Sequence, residues 1–245
     1  MALYDRPVRV LMREMADELQ ASTQQEFARD EAVAWFKSRF PLVKEGTVAA
    51  HLIRLSTNNK NRLHYQPKLD DDIFFQLDSN RFRRFDAAKD PLPIHDGDSY
   101  TPSTLQTEAI KSPESESEFT YEHDLRDFLA RNLHLIESGL SLYEQEGVTG
   151  VEFPAGGRFI DILAVDAKGG LVVIELKVSK GYDRVVGQLL RYVGWIERHH
   201  AEPNQLVRGI IVAKSISEDL KLACSRLRDV HLVEYALAVT LKRVV

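Results

Sequence analysis

Cysteine is nearly absent from the 245-residue chain: Cys224 stands alone. That excludes an internal disulfide and any zinc cluster built on cysteines. Long apolar runs are missing as well. No stretch approaches the roughly 20 residues of a membrane span, and the N-terminus has no signal-type apolar region, so a cytoplasmic protein with no membrane partner is expected. Positive charge is not in excess, with a formal net charge of −5. A Gly-rich phosphate loop, a serine-hydrolase elbow and a Cys–His pair are also missing, so no organic cofactor is expected.

What is present is a soluble composition, 44% hydrophobic and 28% charged, enough for one large domain or two ordinary ones. The negative charge is concentrated. Residues 86–118 hold eight acidic side chains against Lys89 and Lys111, which leaves the rest near neutral and permits local basic patches. The stretch 89–119 has four prolines and many Ser, Thr and Glu residues. It reads as a linker. The expected division is a domain over 1–88, a linker over 89–117 and a second domain over 118–245.

In the first domain, apolar periodicity predicts helices in RPVRVLMREMADELQ and TQQEFARDEAVAWFKSRFP, then a helix over 47–57 with Thr47 as N-cap. DIFFQLDSNRFRRFD predicts a hairpin around Asp78-Ser79-Asn80. Helices followed by a hairpin is the order of a winged helix-turn-helix, a mainly helical module. The helix 47–57 would then read duplex DNA through Thr47, His51 and Arg54. Asn59, Lys60 and Arg62 would follow in the basic loop, with Arg81, Arg83 and Arg84 on the wing. A helical dimerisation domain with solvated arginines is the alternative.

The second domain alternates helices and strands, which implies an α/β sandwich around a mixed sheet. Leu125, Phe128, Leu129, Leu133 and Ile136 form the apolar face of a helix over 121–137. A helix over 183–200 buries Val185, Val186, Leu189, Leu190, Val193 and Ile196. A strand over 206–213, a helix over 217–229 and strand over 230–241 complete it. Between the first two helices lies RFIDILAVDAKGGLVVIELKVSKG. Pairing its two apolar runs around Asp166–Gly170 sets Asp161 opposite Glu175, with Lys177 on the same face. Opposed carboxylates repel, and a divalent cation with oxygen ligands relieves them. Two carboxylates and a lysine around such an ion suit phosphodiester hydrolysis. A structural hairpin with salt bridges at its end fits the same spacing. Glu122 shares the apolar stripe of its helix and could aim a third carboxylate inward. Gln188 and Tyr192 lie on one stripe of the later helix, near Arg184 and Arg191.

FIDILAV, LVVIELKVSKG and VGQLLRYVGWI resemble the PD-(D/E)xK nuclease superfamily, most closely the C-terminal catalytic domain of NucS-like endonucleases, over about residues 118–245. The resemblance implies a restriction-endonuclease-like fold and Mg2+-dependent DNA cleavage, with Mn2+ as a substitute. Asp161 and Glu175 would be metal ligands, Lys177 the catalytic lysine, Glu122 a further acid and Gln188 a supporting glutamine. Arg184, Arg191 and Tyr192 would face DNA. Ile160 stands where the superfamily name has proline. Residues 1–88 lack the β-rich pattern of NucS N-terminal domains and resemble winged-helix modules of some restriction-type nucleases. The expectation is a restriction-type endonuclease cutting duplex DNA as a homodimer. The alternatives are an inactive DNA-binding relative and a repair nuclease for structured or mismatched DNA.

Overall fold

The computed structural model describes residues 4–19, 26–95, 113–177 and 183–236. The N-terminal region runs α1 (Val8–Leu19), β1 (Phe27–Ala28), α2 (Arg29–Arg39), α3 (Glu45–Arg54), β2 (Phe74–Gln76) and β3 (Arg81–Arg84). Its three strands are antiparallel in the order β1-β3-β2. Phe27 packs on Phe74 and Phe82 with ring centroids 5.4 and 5.8 Å apart. Those rings, with Leu11, Met12, Met15, Phe36 and Leu52, make the core. The predicted hairpin and the helical order are both present. The second helix starts later than its periodicity suggested, because Phe27 and Ala28 pair with Phe82 and Arg81.

The C-terminal region is built on one mixed sheet. Its elements are α4 (Pro113–Arg131), β4 (Ser141–Leu142), β5 (Glu144–Gln145), β6 (Val148–Thr149), β7 (Val151–Ala155), β8 (Arg158–Val165), β9 (Leu171–Lys177), α5 (Asp183–His199), β10 (Val207–Ala213), α6 (Glu218–Cys224) and β11 (Val230–Glu234). The strand order is β11-β10-β9-β8, with β4 and β7 both on the far edge of β8. β8 and β9 are antiparallel, while β9, β10 and β11 run parallel. The tight turn between β8 and β9 forms because the Asp166 carboxylate accepts hydrogen bonds from the Lys168 and Gly170 amides, both at 2.9 Å. Gly169 takes φ +81° there, which favours glycine.

β9 is apolar on both faces, as a central strand must be. Its even-numbered residues meet Leu125, Leu129 and Leu133 of the α4 segment. Leu171 and Val173 meet Val185, Leu189 and Ile196 of α5. Phe128 and Leu190, expected inside, are 47% and 40% exposed, since each lies at the margin of its helix's apolar stripe. The helix expected over 217–229 ends at Cys224, and the strand expected over 230–241 runs to Glu234 among the described residues. β4 to β7, too short for a periodic signal, had no counterpart in the sequence reading.

α3 joins the two regions. Val48, Leu52 and Leu55 face the N-terminal core, while Ala50 and Ile53 belong to the core beneath α5. The approach to β7 is close: a Cβ on Gly46 would lie 2.9 Å from the Phe153 and His200 rings. Burial on both sides explains why Gly46 to Ile53 are all buried. No described helix is long and apolar enough to cross a membrane.

Candidate active site

The β8–β9 ladder runs from Val165–Leu171 to Ile162–Ile174 and stops there. One step further its register sets Asp161 across from Glu175. Instead of another backbone pair, the Leu176 amide donates to the Asp161 carboxylate at 2.7 Å. A side chain thus takes the place of the ladder where the strands part. Glu175, 1% exposed, points to the α5 side of the sheet, where the Gln188 amide donates to its Oε1. Lys177 Nζ lies 3.1 Å from the same Oε1 and 3.5 Å from Glu122 Oε1. Asp161, Glu175, Lys177, Glu122 and Gln188, named from three separate segments, are therefore brought together.

Their electrostatics are out of balance. Burial, then the neighbouring Asp161, pushes the Glu175 pKa well above the ordinary carboxylate range. Burial likewise raises Asp161, against the opposing Leu176 hydrogen bond and Lys177. Burial disfavours charge on Lys177, yet Glu175, Glu122 and Asp161 outweigh it and raise its pKa. Oε2 of Glu175 is buried with no hydrogen-bond partner. An orphaned carboxylate oxygen at a two-carboxylate site fits a hard cation, with water or phosphate oxygens filling the remaining positions. Among the described residues no group of three or more His, Cys, Asp or Glu side chains is arranged to enclose a metal by itself.

The residues expected to touch DNA are placed otherwise. Thr47, His51 and Arg62 are buried, at 1%, 0% and 0% exposure. Thr47 donates to Gln145 at 3.0 Å, and His51 Nδ1 lies 2.9 Å from the Thr47 carbonyl. Arg62 pairs with Asp72 at 2.7 Å. Arg54 pairs with Asp71 at 3.1 Å and donates to the Gly147 carbonyl at 2.8 Å. The expectation that helix 47–57 reads DNA is corrected on this ground: the helix is the joint between the two regions, and burial leaves it no face for a duplex. Asn59 donates to Gln76 at 2.6 Å, while Lys60 is exposed. On the hairpin, Arg81 pairs with Asp78 and Glu26, Arg83 with Asp90 and Arg84 with Asp17. Tyr192 is 3% exposed, beneath Arg191, whose guanidinium lies 5.3 Å from the ring centroid. It lines the core beside Gln188 and has no face for DNA. Arg184 and Arg191 are exposed.

Glu152, missed from the sequence, lies on β7 opposite Asp161, between the pairs Val151–Ile162 and Phe153–Ile160. Its carboxylate pairs with Arg126 and, at 3.2 Å, with His64. The available signal was a lone acid in the apolar stretch GVEFPA, too short to read as a strand.

The sheet, its flanking helices and the Asp–Glu–Lys cluster at the strand fork define a nuclease-type α/β domain. Residues 121–232 match the family described as the Endonuclease NucS C-terminal domain, and residues 7–84 match a domain of unknown function. The chain is 32% identical over 106 residues to Endonuclease NucS of Pyrococcus furiosus, covering 43% of this chain and 36% of the relative. It is 38% identical over 117 residues to Endonuclease NucS 2 of Halobacterium salinarum, covering 48% and 42%. A crystal structure of a repair endonuclease from Pyrococcus abyssi aligns with TM-score 0.39 and 28% identity, over 52% of this chain and 49% of that one. The chain thus spans less than half the length of those two curated relatives. The C-terminal region is a NucS-like nuclease domain, carried on an N-terminal region of unclassified family.

Proposed function

We propose that the protein is a DNA endonuclease that hydrolyses phosphodiester bonds with Asp161, Glu175 and Lys177. The carrying observation is the pair of half-buried Asp161 and buried Glu175 at the strand fork, with one Glu175 oxygen unsatisfied and Lys177 against the other. Asp161 and Glu175 would hold Mg2+, or Mn2+ in its place. Such an ion would polarise the scissile phosphate and lower the pKa of a bound water. Lys177 neutralises charge developing on the phosphate oxygens, and Glu122 steadies its ammonium. Gln188 keeps Glu175 turned toward the site.

Structured or mismatched DNA of the repair kind is the substrate class we favour over a restriction site. The curated relatives are NucS endonucleases, and the helix expected to select a sequence is buried. Cutting both strands would take two copies of this site, so a homodimer accompanies a double-strand product.

The test is a cleavage panel of perfect, mismatched, flapped and methylated duplexes and RNA, with Mg2+, Mn2+ or chelator. Metal-dependent cutting of structured or mismatched DNA, lost in Asp161→Ala and Glu175→Ala, supports the reading. Equal cutting by both variants sinks the site, and cutting confined to one short sequence in perfect duplex restores the restriction reading.

A further inference from the structure

Glu152 holds an unusual position for a strand residue. Its φ is +47°, in the left-handed region where a side chain is disfavoured. Glycine would adopt that conformation without strain, so the carboxylate must contribute something that offsets it. The side chain is well buried and joins three parts of the molecule. Arg126, 5% exposed, reaches it from α4, one turn after Glu122. His64 reaches it at 3.2 Å from the N-terminal region, and the Tyr65 hydroxyl donates to the Glu152 carbonyl at 3.4 Å. The flanking pairs place Glu152 across from Asp161, at the one step of the β7–β8 ladder that is left unpaired.

The geometry points to Glu152 as a positioning residue, through which the N-terminal region holds Asp161 and the Glu122 helix in place for the reaction. This rests on the nuclease reading above. A carboxylate bonded on one side to Arg126 and on the other to His64 cannot shift without moving α4 or the segment 60–65. Asp161, one strand away, is steadied through the same stretch of backbone. The N-terminal region then acts on the nuclease as a buttress at the back of its site, in place of the reading head expected from the sequence.

The experiment compares Glu152→Gly, Glu152→Gln and His64→Ala with wild type and Asp161→Asn in the full chain. Two readouts are taken: steady-state cleavage of the best substrate, and residue-resolved amide exchange at Leu176 against Ile174. Glu152→Gly relieves the backbone and removes the carboxylate, so a purely local role predicts unchanged kcat. The positioning role predicts a kcat lower by roughly 10- to 100-fold with KM little changed, the scale expected for ångström-sized misplacement. It also predicts faster Leu176 exchange while Ile174 stays protected, and the same direction for His64→Ala. Wild-type kcat in Glu152→Gly, or unchanged Leu176 exchange in the folded variants, overturns the proposal. Should Glu152→Gly fail to fold, Glu152→Gln and His64→Ala decide by the same two measures. If the wild-type chain cuts nothing yet Leu176 exchange responds, the positioning holds and the nuclease reading fails.

Discussion

Buried charge occurs in both halves of this molecule, and the two halves treat it differently. In the N-terminal region three buried or half-buried arginines each meet an acid: Arg62 with Asp72, Arg54 with Asp71, Arg83 with Asp90. At the strand fork three carboxylates, Asp161, Glu175 and Glu122, gather around one lysine. Atoms without a hydrogen-bond partner occur in both halves, Arg62 Nη1 and Asp71 Oδ1 as well as Glu175 Oε2, so the difference lies in the excess of one sign. Matched charges hold a structure at little net gain, whereas an excess of one sign is a standing cost that a ligand can offset. The contrast assigns the first set to architecture and the second to chemistry.

The sharpest way to break that contrast is to neutralise one charge in each half. Glu175→Gln should lower cleavage by roughly 100- to 1000-fold, the scale of losing a transition-state contact of this kind. Its melting temperature should be equal to or above that of wild type, because a like-charge contact is removed. Mg2+ should raise the melting temperature of wild type and leave that of Glu175→Gln unmoved. Arg62→Met should do the opposite to stability, costing about 3 kcal/mol by removing the buried arginine from Asp72, which is left with His95 as its partner. Equal losses of stability in the two variants would erase the distinction.

The joint between the halves gives a smaller effect, set by pH. His51 and His200 are buried, and burial lowers both pKa values to about 4 from 6.5. At these two histidines the folded state therefore binds fewer protons than the unfolded chain below pH 6.5. Their contribution to stability is full above that pH and falls as pH drops toward 4. The raised carboxylates Glu175 and Asp161 act in the opposite sense over the same range, so the histidine share is read by difference. Between pH 7 and pH 5 His200→Asn should lose less melting temperature than wild type, by roughly 2 °C or more. The smallest effect is expected at Arg81, exposed on the hairpin. Arg81→Ala should leave the melting curve unchanged, since exposed ion pairs contribute little. A loss of DNA affinity in that variant would return a nucleic-acid role to the hairpin.

Much of the nuclease half was legible from residue pattern. The strand–turn–strand register follows from two apolar runs and a five-residue turn, so Asp161 opposite Glu175 can be counted off from the sequence. Gln188 came from the family resemblance, since helix spacing alone left its stripe free to face water. The N-terminal half was legible as elements and misread as a surface. His51, Arg54 and Arg62 are polar, and polarity normally marks a solvent face. Here the partners lie inside the fold: Asp71 and Gly147 for Arg54, Asp72 for Arg62 and the Thr47 carbonyl for His51. Glu152 was illegible for a related reason: its meaning lies in Arg126 and His64, 26 and 88 residues away.

Local pattern determined which segments became strands and helices, and which carboxylates could meet across the hairpin, because those relations span a few residues and obey fixed periods. Tertiary structure alone decided which face of α3 reaches solvent, since burial depends on what the rest of the chain lays against it. It made α3 a joint and left the strand fork as the place where buried charge remains unbalanced.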